Sequence, residues 1–331
     1  RCLDALGASD FGSFEVIVVD DCSTDSAVEE AKGRGVKVIS SGDSHSGPFG
    51  PAVARNHGAK EARGEVLLFI DADVVVRPET ITLVAGHFKA RGDIAALFGS
   101  YDSEPGPADF LSQYRNMVHH FHHQRSDPEA STFWAGCGAI RRKVFDDLEG
   151  FNHRLYRRPS IEDIELGYRA RMKGYRILLD RDIQVKHLKS WGFVNMLRTD
   201  IFQRALPWSR LIMESKFIPD SLNLKSGEMA SSLVVALMLI ALPLLAFWRT
   251  SLGGVSLAAW AVAGEAALFG ALLMLNREFY GFFLKNRGLW FTIRVIPMHI
   301  LYYIYSGLSF AFSWVTYKVP ALAPLYKIVV G

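Results

Sequence analysis

Asp71 and Asp73 follow the apolar run Leu68-Phe69-Ile70 and stand one residue apart. Two carboxylates at a strand end can share a divalent cation held on a diphosphate, and hard oxygen donors of this kind suit Mg2+ or Mn2+. The plain alternative is a polar turn ahead of the helix that Pro78 opens. A second acidic pair, Asp20-Asp21, closes another β-branched run, so parallel strands would bring both pairs to one edge of a sheet. Glu162-Asp163 offers a third set. Asp163 reads as a general base that accepts a hydroxyl proton, and with Ser160 it also reads as a helix capping box.

The elements around these residues follow from periodicity. Residues 15–20, 36–39 and 65–70 are apolar runs of buried-strand type, separated by helical stretches at 26–33 and 51–63. Strand alternating with helix predicts an α/β fold: a three-layer, mostly parallel sheet domain with ligands at the carboxyl ends of its strands. Further on, the pattern predicts a helix over 108–125, a strand over 133–141, a helix over 160–174 capped by Ser160, and short strands over 175–180 and 183–187. His119, His120, His122 and His123 cluster on one of these helices, which reads as exposed or facing a ligand.

The 331 residues are 50% hydrophobic with a formal net charge of +3, too small a charge to point to nucleic acid. Cys2, Cys22 and Cys137 lie far apart without metal-ligand spacing, which argues against a disulfide framework or a zinc site. The chain opens on Arg1 without an initiator methionine or signal peptide and reads as a fragment. Apolar stretches at 229–248, 252–275 and 295–317 are long enough to cross a bilayer, and only Glu265 and His299 interrupt them. The expected organisation is therefore a catalytic-type domain over 1–190, interfacial amphipathic helices over 191–228, and an α-helical transmembrane region of about three spans over 229–331. Arg277, Lys285 and Arg287 face Glu278 in the loop between the second and third stretches. Positive charge marks the cytoplasmic side, so the expectation is a multi-pass cell-membrane protein with its amino-terminal domain in the cytoplasm.

Five ordered motifs carry a resemblance. Val-Val-Asp-Asp-Cys-Ser-Thr-Asp (18–25), Ala-Arg-Asn-His-Gly (54–58), Leu-Phe-Ile-Asp-Ala-Asp (68–73), Gly-Cys-Gly-Ala-Ile-Arg-Arg (136–142) and Glu-Asp-Ile-Glu-Leu-Gly-Tyr-Arg (162–169) together resemble family-2 glycosyltransferases of the GT-A fold. The resemblance covers about residues 1–190 and implies an inverting, membrane-anchored enzyme. It implies that Asp20, Asp21, Arg55, Asn56, Asp71 and Gly136 border the nucleotide-sugar site. It makes Asp71, Asp73 and His187 the ligands of Mg2+ or Mn2+, and Asp163, beside Glu162, the catalytic base. The family's first strand is missing from this sequence.

The implied activity is transfer of one sugar from a nucleoside diphosphate sugar donor to a hydroxyl of a lipid-linked or envelope glycan acceptor. A polyprenyl-phosphate acceptor would need no base, which leaves Glu162-Asp163 without a purpose. Processive synthases carry a Gln-x-x-Arg-Trp motif, and Gln203-Arg-Ala-Leu-Pro-Trp208 holds the same residue types at another spacing. A non-catalytic membrane scaffold would be marked by loss of the acidic residues, and all are present.

Overall fold

The structure, a computed structural model, describes residues 1–42, 47–215 and 226–330. The chain divides into two units, Arg1–Thr199 and Asp200–Gly331.

In the first unit α1 (Cys2–Gly7) precedes β1 (Ile17–Asp20), α2 (Ala27–Gly33) and β2 (Lys37–Ser40). Strands β1 and β2 pair in parallel, from Ile17 opposite Lys37 to Asp20 opposite Ser40. Next come α3 (Pro51–Glu61), β3 (Val66–Ile70), β4 (Val74–Val75), α4 (Thr80–Ala90), β5 (Ile94–Tyr101), α5 (Phe110–Arg125), β6 (Glu129–Ala130), β7 (Cys137–Arg141), α6 (Arg142–Asp147), α7 (Glu162–Met172), β8 (Arg176–His187) and α8 (Phe193–Arg198). Six of these strands form one sheet in the order β3-β7-β5-β8-β4, with β6 on β8. Strand β5 is central and every residue in it is buried.

The three-layer α/β class expected from the sequence is what forms. Residues of α3, α6 and α7 pack on one face of the sheet, including Ala52, Ala59, Phe145, Leu166 and Ala170. Those of α1 and α4, including Leu6, Ile81, Val84 and Phe88, pack on the other. The sheet is mixed in direction: β5 and β8 run parallel, whereas β7 lies antiparallel between β3 and β5. Arg141 and Arg142 lock that inserted strand in place. The Arg141 guanidinium donates to the carbonyls of Phe88, Arg91 and Ile94, and Arg142 donates to those of Ala59 and Gly64. The strand expected over 133–141 is confined to Cys137–Arg141, because residues before it turn to approach α7.

The second unit begins at Asp200 within the π-helical segment Thr199–Ala205 and continues with α9 (Leu206–Ser215), then α10 (Ser226–Ala241), which runs on through a 3-10 turn at Leu242–Ala246. A short hairpin, β9 (Ser251–Leu252) and β10 (Val255–Ser256), leads to α11 (Leu257–Leu275), α12 (Arg277–Arg287), α13 (Leu289–Lys318) and α14 (Ala323–Val330). Among the described residues, three helices are long and apolar enough to cross a membrane: Gly227–Ala246, Leu257–Leu275 and Leu289–Lys318. Of the stretch expected to be interfacial, α8 and buried Trp191 belong to the first unit. Residues 216–225 lie outside the described residues.

Candidate active site

Strand β3 delivers the acidic pair. The Asp71 N–H donates to the Gly136 carbonyl at 3.2 Å, and the Val74 N–H donates to the Asp71 carbonyl at 3.0 Å, so a tight turn carries the chain from β3 into β4. Antiparallel pairing then sets Val74 opposite His187. The Leu188 N–H donates to the Asp73 carbonyl at 2.8 Å. The result is that His187 Nε2 stands 3.5 Å from Asp73 Oδ2. Tyr101 stacks on this imidazole with ring centroids 4.2 Å apart, and Trp134 meets Tyr101 edge-on at 4.7 Å. Burial alone would raise the Asp73 carboxyl, but the His187 imidazole outweighs it and holds the group below its ordinary range.

Asp71 turns instead toward α3. Arg55 Nη2 donates to Asp71 Oδ1 at 2.8 Å while Nη1 donates to Glu162 Oε1 at 2.7 Å. Glu162 is almost fully buried, and the guanidinium lies 5.6 Å from the Phe151 ring centroid. Burial works against the charge of Arg55, but Asp71, Glu162 and Asp163 surround it with negative charge and keep it protonated.

Asp163 is held by backbone amides. Its Oδ2 accepts from the Ala135 N–H at 3.1 Å and its Oδ1 from the Ile164 N–H at 2.8 Å. Burial foremost, and then the neighbouring Glu162 carboxylate, push its carboxyl up to about 6, against the opposing pull of Arg55 and the two amides. Close seating of α7 makes the Ala135 contact possible: a Cβ at Gly167 would come within 2.3 Å of the Phe133 backbone nitrogen. The capping box expected from the sequence does not form. Ile161, drawn into the core, takes the N-cap position of α7 without a side-chain bond. Glu162 then turns back to accept from the Ser160 N–H at 3.0 Å.

The other expected site residues are occupied by backbone. Asp20 accepts from the Ser23 N–H at 3.0 Å. Asp21 accepts from the Phe49 and Gly50 N–H groups at 2.9 and 2.8 Å, and from the Ser41 hydroxyl, so its carboxylate fastens the entry to α3. Asn56 makes a two-way bond with Phe151, donating to its carbonyl at 2.8 Å and accepting from its N–H at 2.9 Å. Gly136 lends its carbonyl to Asp71, and a Cβ there would meet the Trp134 ring at 2.4 Å. The structure thus unites Arg55, Asp71, Glu162 and Asp163 in one charged cluster, with the Asp73–His187 pair next to Asp71 in the chain. Among the described residues, no three His, Cys, Asp or Glu side chains close around a single point.

Sequence reasoning missed Tyr101, Trp134 and the Ala135 amide. A strand-end aromatic before Asp102 was the one available signal for Tyr101; an amide carries none. The histidine cluster also differs from expectation. His123 is buried against Phe98 and Trp134, and burial first, then its histidine neighbours, push it down to about 3, so it is a neutral core residue.

Fold and sequence together define the class. Residues 1–149 match the model of the family described as glycosyl transferase family 2. Among solved structures, mannosyltransferase PcManGT from Pyrobaculum calidifontis, in complex with GDP-Man and Mn2+, shares the fold. It aligns at a TM-score of 0.55 and 19% identity over 94% of this chain and 82% of that one. Among curated proteins, poly(ribitol-phosphate) beta-N-acetylglucosaminyltransferase TarS of Staphylococcus aureus is 40% identical over 84 residues, 24% of this chain and 14% of that protein. The uncharacterized glycosyltransferase YibD of Escherichia coli is 34% identical over 87 residues, 25% of each. The chain therefore spans a quarter or less of the length of these two relatives.

Proposed function

We propose that this chain transfers one sugar, with inversion, from a nucleoside diphosphate donor to a hydroxyl of a lipid-linked or envelope glycan acceptor. We further propose that it works at the cytoplasmic face of a cell membrane. The observation that carries this reading is Asp163: a carboxylate fixed by two amides, desolvated, and poised near 6, where a base is both ionised at neutral pH and able to take a proton. In a single displacement the acceptor hydroxyl loses its proton to Asp163 as the anomeric carbon changes partners. Ala135 and Ile164 aim the carboxylate. Arg55 keeps Glu162 from repelling it further, and the aromatic pair Tyr101 and Trp134 walls the adjacent ground.

The donor set Asp71, Asp73 and His187 fits Mg2+ or Mn2+ in chemistry, two hard oxygens and an imidazole, and the side chains of Asp71 and Asp73 remain 36% and 40% exposed. The Mn2+ named with PcManGT supports a divalent ion here. An ion held there would neutralise charge building on the departing diphosphate. Arg55 meets Asp71 through Oδ1, and the second oxygen of a carboxylate can serve a cation at the same time. The basic residues of α12 support a cytoplasmic placement of the side from which α10 departs.

Asp163→Asn tests the reading through turnover, donor affinity and melting temperature together. A lost general base lowers turnover about a hundred- to ten-thousandfold with donor affinity nearly intact. Turnover within about threefold of the parent leaves Asp163 a structural residue and removes the mechanism.

A further inference from the structure

The three apolar helices are not equivalent. Helices Gly227–Ala246 and Leu257–Leu275 have 20 and 19 residues, each about 30 Å at 1.5 Å per residue, the thickness of the hydrocarbon core. If these two cross, their ends lie at the bilayer surfaces. Glu228 begins the first and Asn276 follows the second, and both meet the same hydroxyl: Tyr303 lies 2.8 Å from Glu228 Oε2 and 2.9 Å from Asn276 Oδ1. Asn276 also donates to Ser231 at 2.9 Å. Tyr303 is near the midpoint of α13, the 30-residue helix Leu289–Lys318. A helix that crossed the membrane symmetrically would have its midpoint at the centre of the bilayer. Here that midpoint is tied to the two helix ends that belong at the surface.

Charge along α13 agrees. Arg294 is exposed near its start, and Glu228 sits at the level of Tyr303. Buried Asp200 accepts from the Tyr305 hydroxyl at 2.8 Å, and Arg210 lies 4.8 Å from the Tyr317 ring centroid. The charges on α13 itself, Arg294 and Lys318, stand about 36 Å apart along the helix, but with the charges that partner segments bring to it the widest interval, from Tyr305 to Tyr317, is about 18 Å, well short of the ~30 Å a crossing needs. Glu265 within α11 shows that one acidic group does not exclude a crossing; charge at four successive levels is a different matter. The flanking helices are amphipathic as well. Helix α12, with Arg277, Glu278, Lys285 and Arg287, packs Tyr280 against His299. Helix α9, with Arg210 and Glu214, runs beside the later half, where Ser313 donates to the Leu206 carbonyl at 3.4 Å. The face of α13 turned toward these partners buries Thr292, His299, Tyr303, Ser309, Ser313 and Thr316, while Trp290, Ile293, Leu308, Phe310 and Trp314 remain exposed.

We infer that α13 lies in the membrane interface with α9 and α12 as an amphipathic platform, its exposed aromatic and aliphatic side chains facing the acyl chains of the same leaflet. Only the α10–α11 hairpin crosses. This rests on the reading of the second unit as a membrane anchor. It places both chain ends on one side of the bilayer, whereas a crossing α13 places them on opposite sides.

The experiment uses the full chain in sealed membrane vesicles, with one epitope at the amino terminus, one at the carboxyl terminus and one inserted between Gly253 and Gly254 in the exposed β9–β10 turn. Protease is added from one side. The platform predicts that the two terminal epitopes are cut or protected together and that the 253/254 epitope behaves oppositely. Terminal epitopes on opposite sides overturn the platform and leave the membrane reading standing. All three epitopes on one side overturn both.

Discussion

Charged groups in the two units find different partners. In the first unit, carboxylates at strand ends and at the start of α7 are held by backbone amides or by Arg55: Asp21 by Phe49 and Gly50, Asp163 by Ala135 and Ile164, Asp71 and Glu162 by the same guanidinium. In the second unit, Glu228 and Asp200 meet tyrosine hydroxyls instead, and each lies beside α13. An amide or guanidinium fixes the direction in which a carboxylate points. A tyrosine ring sets apolar surface beside one while giving it a hydrogen bond. The first arrangement orients a charged group, the second lets one sit among apolar side chains.

The largest effect expected from breaking this contrast is at the acidic strand ends. Chelating divalent cations, or the Asp73→Ala substitution, should lower turnover on the order of a thousandfold, several kcal/mol in the barrier. Full turnover in excess chelator would show that these carboxylates serve no ion. Arg55→Met comes next. It leaves Asp71, buried Glu162 and Asp163 facing one another without a cation, and unfolding should become easier by about 3–5 kcal/mol. It also removes the pull that lowers the Asp163 carboxyl, so the acid limb of the rate profile should move to higher pH. An unchanged melting temperature and limb would mean that Arg55 organises neither. The smallest effect belongs to the apolar unit: Tyr303→Phe should cost about 1 kcal/mol, read as detergent or thermal stability, with turnover kept. A loss of turnover at constant stability would tie Tyr303 to the chemistry instead.

The alternation of strands and helices and the acidic strand ends were legible in the sequence because buried parallel-type strands read as continuous apolar runs. Three features were not. The reversal of β7 depends on which strand it pairs with, and periodicity is the same in either direction. The Ser160 cap failed because packing of Ile161 outweighed a local hydrogen bond. The Ala135 amide, which fixes Asp163, lies 28 residues from it and has no side-chain signature. In the second unit length and composition identified three apolar helices, but the contacts of Tyr303, which set one of them apart, have no signature in the sequence.

The most direct test of the central claim is the pH dependence of kcat/KM in the parent chain, measured at saturating cation. Asp163 must be ionised to accept a proton, and burial with Glu162 beside it raises its carboxyl to about 6. The rate should therefore be constant above neutrality and fall about tenfold per unit below pH 6. A rate that holds its neutral value down to about pH 4.5 would contradict Asp163 as the base.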